Sequence, residues 1–138
     1  MNEPKNRFHH GESGAVGWII VIWLVVVAVI GVTAIDAGSI AFTKFRLADV
    51  ASSASTQAAN NFKGSKNVEA ACQVAAASVA AADASAKLAN KGCVVDVPTG
   101  NVTITVRKEA KTILVGRLSF TKHFSKVTAT ETNGPTSL

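Results

Sequence analysis

Residues 14–35 read GAVGWIIVIWLVVVAVIGVTAI, a run without a single charge between Glu12 and Asp36. At ~1.5 Å of rise per residue, a helix of this length matches the ~30 Å hydrocarbon core of a bilayer. The core helix of a soluble protein would keep a polar stripe at helical period. Here only Thr33 interrupts an apolar surface that runs all the way round. Trp18 and Trp23, the only tryptophans, lie in the N-terminal half of the run, and Trp18 sits at a depth where its indole N–H reaches the headgroup zone. The rival reading is a cleaved secretory signal, because Lys5 and Arg7 precede the run and Val32, Thr33 and Ala34 look like a small-residue cleavage site. The apolar region of such a signal covers roughly 7 to 15 residues, and this one is longer. A retained membrane anchor is the expectation.

The charges on either side of the run hardly discriminate its orientation. Lys5, Arg7, His9 and His10 stand against Glu3 and Glu12 before it, and Lys44 and Arg46 against Asp36 and Asp49 after it. Because the leading segment is short and everything else follows the helix, the reading is single-pass, with the N-terminus cytoplasmic and the bulk outside. Four regions result: a cytosolic tail at 1–13, the transmembrane helix at 14–35, a small extracytoplasmic domain at 36–130 and a flexible polar tail at 131–138. A chain of 138 residues has room for one such domain and no second sizeable core. With no Tyr, a single Met at Met1 and 6% aromatics, Ala and Val must fill that core. Side chains this small demand close approach between elements and leave the domain marginally stable without partners.

After Asp36 the helix continues, since Ile40, Phe42, Phe45, Leu47, Val50 and Ala51 follow without a proline. Leu47, Ala51, Ala54 and Ala58 recur at spacings of four, three and four, a seam that lets another helix come close. Ser52, Ser53, Thr56, Gln57 and Asn60 lie opposite. Gly64 is the expected positive-φ terminator. A second Ala-rich helix reads from Asn67 to Asn90, capped by Ser65 or Asn67, with Val68, Ala71, Cys72, Ala75, Val79, Ala82, Ala86 and Ala89 on one face. Alternation then switches to period two: Cys93, Val95 and Val97, the turn Pro98-Thr99-Gly100-Asn101, and Val102, Ile104 and Val106. Residues 109–118 read as a short helix or loop with Ile113, Leu114 and Leu118 inward. Residues 119–130, with Phe120, Phe124, Val127 and Ala129, give one more strand. The fold class is α+β: a transmembrane helix continuing into an Ala-rich helix, a second Ala-rich helix, then a small antiparallel sheet.

Cys72 and Cys93 bracket the second helix, and an outside location permits a disulfide between them. With the opposite orientation the pair would be two buried free thiols. The outside reading therefore predicts the bond. The net charge is +5, and residues 36–138 hold twelve Lys and Arg against seven Asp and Glu. Lys108, Lys111, Arg117, Lys122 and Lys126 form a candidate basic face for anionic lipid, an acidic wall polymer or DNA. The plainer account is that these residues alternate with core positions and keep an outer face wet. No aromatic interleaving favours base stacking, which argues against nucleic acid. His9 and His10 are adjacent and do not converge on one helical face, so they read as solvated. His123 has no sequence relation to a Cys or Asp that would make a relay, and no nucleophile motif or phosphate loop occurs. No catalytic residue, metal set or cofactor is expected, and the chain reads as a non-enzyme.

Four stretches in this order resemble the TadE/TadG-like proteins of tight-adherence (Tad, or Flp) pilus assembly, in particular their short actinobacterial forms. A basic tail leads through GESGAV into one apolar helix, and AIDAGSIAFTKFRLADVASSASTQAA leaves the membrane as an Ala-rich helix. ACQVAAASVAAADASAKLANKGCVVDV carries two cysteines around an Ala helix before a strand, and VTITVRK with VTATETNGP resembles the closing strands. The resemblance implies a minor pilin or pseudopilin-like component of a pilus or envelope secretion machine, acting by packing and display. Its partners would be the lipid bilayer and other machine subunits, in a homo- or hetero-oligomer. One departure stands out. Prepilin-like leaders place a Gly before the cleavage point and a Glu inside the mature helix, whereas Glu12 directly follows Gly11 and the apolar helix holds no carboxylate. A surface-anchored module gripping an anionic envelope polymer or DNA through the basic face is the alternative.

Overall fold

The apolar run is the first part of one uninterrupted 53-residue helix, α1 (Ser13–Ser65). At the α-helical rise it is about 80 Å long. The computed structural model describes residues 13–115, 117, 119 and 121–136, so the tail at 1–12 lies outside the described residues. No proline falls within α1. Its Ser and Thr side chains do not break it either: Thr33 bonds the carbonyls of Val29 and Ile30, Thr43 that of Ser39, and Ser55 and Thr56 that of Ser52. From Val16 to Ile30 every large apolar side chain is exposed, with Trp18 at 67% and Leu24 at 65%. This helix is long and apolar enough to cross a membrane, its most apolar window having a mean hydropathy of 2.9 and no burial inside the chain.

Beyond Asp36 the helix becomes the spine of a small domain. It overruns the expected terminator. Gly64 stays helical and Lys66 takes the left-handed conformation, φ 55°, while its N–H bonds Phe62 O at 2.8 Å. Lys66 and Asn67 alone separate α1 from α2 (Val68–Ala82), which Asn67 caps by accepting the Ala70 N–H at 3.0 Å. The two helices form an antiparallel hairpin, bridged where Gln57 donates to Ser78 at 2.9 Å.

The second helix ends well before Asn90. Asp83 closes it: its carboxylate turns onto the N–H and hydroxyl of Ser85 and pairs with Lys108. Residues 87–90, helical by Ala propensity, are instead recruited by strand pairing, which outweighs propensity. The sheet is β1 (Lys87–Asp96), β2 (Asn101–Glu109) and β3 (Lys126–Asn133), antiparallel in that order. Leu88 pairs with Val106 and Cys93 with Ile104, so the strand between them carries a bulge. Lys91 there has φ 56°, and a Cβ on Gly92 would sit 2.5 Å from the Thr105 carbonyl oxygen, so only glycine lets β1 approach β2. At the hairpin Gly100 has φ 75° and donates to Asp96 O at 2.7 Å.

The third strand begins at Lys126, after a 3₁₀ turn (Lys122–Ser125), rather than at Ser119, and it runs through Asn133. The stretch expected to be a free tail from 131 is therefore tied down. Asn133 Nδ2 reaches Ser52 O, Ser52 Oγ and Ser55 Oγ at 3.1, 3.1 and 2.6 Å. Thr136 donates its N–H and its hydroxyl to Asn60 at 2.9 and 2.8 Å. Ser52 and Asn60, expected on the solvent side of α1, are receptors for β3 and the segment that follows it.

One face of the sheet, Val102, Ile104 and Val106 of β2 with Val127 and Ala129 of β3, packs on Leu47, Ala51, Ala54, Ala58, Ala59 and Phe62 of α1 and on Ala71, Ala75 and Val79 of α2. The other face is wet and threonine-rich, its hydroxyls paired at Thr103–Thr132 and Thr105–Thr130. All four residues of the small-residue seam, Leu47, Ala51, Ala54 and Ala58, are at most 1% exposed. The chain's own domain occupies it. Ala54→Leu therefore overpacks an intramolecular contact, and a loss of about 1–3 kcal/mol is expected. Denaturant melts of the full chain in detergent check this; an unchanged midpoint would mean the seam is not close-packed.

Candidate functional site

The junction between the exposed apolar helix and the domain is built on one side chain, Asp36, the first charge after the run. It is 1% exposed, with its carboxylate receiving three consecutive backbone N–H groups. Ile113 donates to Oδ1 at 2.6 Å, and Leu114 and Val115 to Oδ2 at 2.9 and 3.0 Å. One turn further along α1, Ser39 Oγ donates to Lys111 O at 2.6 Å. A run of N–H groups converging on one anion is a backbone nest, here closed around a carboxylate of the same chain. These bonds hold the Asp36 pKa below the usual 3.8, the Ile113 N–H contributing most and the Val115 N–H next, against an opposing desolvation. Because the folded-state value is depressed, the tie is complete above the ordinary carboxylate range and is lost as pH falls below it.

The nest also decides which way the connection faces. Ile113 and Leu114, expected to point inward, are 51% and 36% exposed, because the backbone N–H groups take the helix side and the side chains are left facing out. Leu118 and Phe120, also expected in apolar positions, lie outside the described residues.

Of the expected basic face, Lys108 and Lys126 come from opposite sides of the sheet, and Lys111 and Arg117 from the connection that follows it. Lys108 turns toward α1 and pairs with Asp83 beside Phe42, Thr43, Arg46 and Leu47. Its neighbour Arg107 points to the opposite side of the sheet, as alternation requires. Lys126 lies on that outer side across from Glu109. With Lys87, Arg107, Lys108 and His123 it lines an open groove of about 870 Å³, which Lys108 reaches from the inner side. Lys111 and Arg117 are exposed on the connection that the nest holds, and the side chain of Lys122 lies outside the described residues. Lys87 and Arg107 join Lys126 only through strand register, a relation that linear clustering missed.

Charge is nevertheless segregated along the length of the domain. The half nearer the apolar run carries Lys44, Arg46, Lys87, Arg107, Lys108, Lys111, Arg117 and Lys126 against Asp36, Asp49, Asp83 and Glu109. The far half carries Lys63, Lys66 and Lys91 against Glu69, Asp96 and Glu131. Among the described side chains, the whole positive excess is at the apolar end.

Lys108 holds the Asp83 carboxyl well below the usual carboxylate range, with Ser85 adding to the effect. As for any depressed carboxylate, this contribution is present above the ordinary pKa of 3.8 and fades below it. Lys108→Met is accordingly expected to cost up to about 1 kcal/mol at neutral pH, the range for a partly exposed pair. The difference from the unmodified chain should vanish in melts taken at progressively more acid pH.

Cys72 of α2 and Cys93 of β1 form a disulfide, their Cα atoms 5.8 Å apart. His123 is exposed and meets the Phe124 ring edge-on at 6.0 Å. Among the described residues no three His, Cys, Asp or Glu side chains group as a metal set. His9 and His10 lie outside the described residues. What the arrangement offers is a rigid, apolar and unaccompanied helix, a domain clamped to its far half, and a basic collar where the two meet. No protein-family model, curated protein or solved structure matches the chain.

Proposed function

We propose that the chain is a single-pass, membrane-anchored minor pilin or pseudopilin-like component of a Tad (Flp) pilus assembly or a related envelope secretion machine. The N-terminus is cytoplasmic and the domain extracytoplasmic. It works by packing and display, without chemistry of its own. The observation that carries this reading is the unbroken α1, whose first part is bare and apolar and whose second part is the spine of the folded domain. A tethered binding module needs a flexible linker so that its face can search for a ligand. Here the linker is a stiff helix, and the Asp36 nest pins the domain to it at the membrane boundary, so height and orientation are fixed. Fixed geometry is what a subunit of a regular assembly requires. The Cys72–Cys93 bond supports the outside placement, since structural disulfides persist in oxidising compartments. The four stretches that resemble TadE/TadG-like proteins favour the Tad type.

Photo-crosslinking from Val21 and Leu24, both exposed on the apolar helix, tests the reading in cells that make the machine. Adducts with other membrane subunits, together with loss of surface pili on deletion of the chain, are expected. Lipid adducts alone, with pilus assembly and secretion intact in the deletion strain, would reject it.

A further inference from the structure

We propose that the connection held by Asp36 is a bilayer-docking foot, with Ile113 and Leu114 seated in the interfacial zone of the membrane and the surrounding basic side chains on anionic lipid headgroups. The inference rests on reading α1 as a membrane span. Residues 14–35 then cover about 33 Å, which places Asp36 at the edge of the hydrocarbon. Bonds of 2.6–3.0 Å from Ile113, Leu114 and Val115 to Asp36 hold the connection at that same level. Two exposed branched aliphatic side chains are thus fixed where the bilayer begins. In water they would be a cost with no return; at the interface they continue the apolar surface of the span.

Charge selects the occupant. Lys111 and Arg117 flank the two apolar residues on the connection. Lys44 and Arg46 stand about 12 and 15 Å further up α1. Helical side chains lean toward the N-terminus, here toward the membrane. Arg46 follows that direction, its guanidinium lying 5.7 Å from the ring centre of Phe42, one turn nearer the bilayer. The positive excess of the domain lies in this half and is absent from the other. A second copy of this chain would bring the same basic collar against this one, and the like charges would repel. An anionic headgroup layer matches both the sign and the plane.

The test uses the full chain in lipid nanodiscs, with an environment-sensitive fluorophore on Leu114→Cys; the native cysteines are disulfide-bonded and do not react. Val25→Cys reports the span and Val97→Cys the far end of the domain. Nanodiscs contain phosphatidylcholine alone or mixed with phosphatidylglycerol, with spin-labelled lipids quenching at shallow or deep positions. The Leu114 label should be quenched by the shallow probe, more so with phosphatidylglycerol and less at high salt, while the Val97 label is not. Lys111→Gln and Arg117→Gln should each lower the docked-to-undocked ratio about fivefold. Quenching at Val25 but not at Leu114 overturns the docking and leaves the span standing. No quenching at Val25 overturns the span and the docking with it. Shielding of Leu114 that ignores phosphatidylglycerol overturns the anionic-lipid assignment, and shielding that grows with protein density in detergent assigns the foot to a second copy instead.

Discussion

Serine at both Cys72 and Cys93 is expected to lower the unfolding free energy of the domain by about 3 kcal/mol, the chain-entropy value for a closed loop of this size. The bond spans 21 positions and joins the second turn of α2 to the inner side of β1 just past the bulge. A small domain has only ~5–15 kcal/mol in total, and here nine of the sixteen buried core residues are alanine, which buries little area per residue. β1 is an edge strand, its pairing interrupted between Leu88 and Cys93, so the bond does at this edge what larger side chains would do elsewhere. Both tryptophans lie on the apolar helix and do not report on the domain. Pulse proteolysis of the full chain in detergent across a urea series does. The serine pair should unfold at markedly lower urea, and the unmodified chain should move to the same midpoint on reduction. Coincident curves would mean that alanine packing and strand pairing suffice. Unreduced, denatured protein should take up no thiol label at either cysteine.

The order of elements was legible in the sequence because each rests on a local pattern. The apolar run has no polar stripe, the Leu47-Ala51-Ala54-Ala58 spacing is helical, and Val102, Ile104 and Val106 alternate. Boundaries failed where a distant partner decides. Residues 84–90, ASAKLAN, look helical by composition, yet the inner side of β2 offers Val106 to Leu88, and the bulge at Lys91 and Gly92 erases the period-two signal that would have announced a strand. The make-up of the basic groove was hidden for a related reason. Neighbours on a strand face opposite ways, so Lys108 pairs with Asp83 at the edge of the groove while Arg107 meets Lys87 across the ladder, and Lys87 and Arg107 join Lys126 there by register alone.

The junction was the least legible part. Three backbone N–H groups carry no residue signature, so nothing in Ile113-Leu114-Val115 announces a nest. The only local cue was a carboxylate at the first position after the apolar run, with Ser39 one turn on. An aspartate there reads equally well as the mere end of a span. The ligand that it takes comes from 77 to 79 positions away.

Asp36→Ala is expected to release the Ile113–Val115 stretch while leaving the α1–α2–sheet core folded, because the three bonds to its carboxylate tie that stretch to α1, the Ser39 hydroxyl holds the neighbouring Lys111 carbonyl, and Asp36 is not among the residues of the apolar core. Amide exchange at Ile113, Leu114 and Val115 should accelerate by about tenfold or more, with Val102, Ile104 and Val106 still protected. Asp36→Asn should fall short of restoring the nest. An amide keeps one acceptor oxygen where the carboxylate has two, and its NH₂ turns a donor toward N–H groups that need acceptors. Acid should reproduce the alanine phenotype in the unmodified chain. The depressed carboxyl stays ionised at its ordinary value of 3.8, so protection of the three amides should persist through that pH and be lost only below it. In Asp36→Ala the same amides should exchange freely across the range, without a titration step. Protection at Ile113–Val115 that survives both the substitution and acid would mean that something other than the carboxylate seats the connection, and the fixed geometry proposed for the domain would lose its anchor at the junction with the apolar helix.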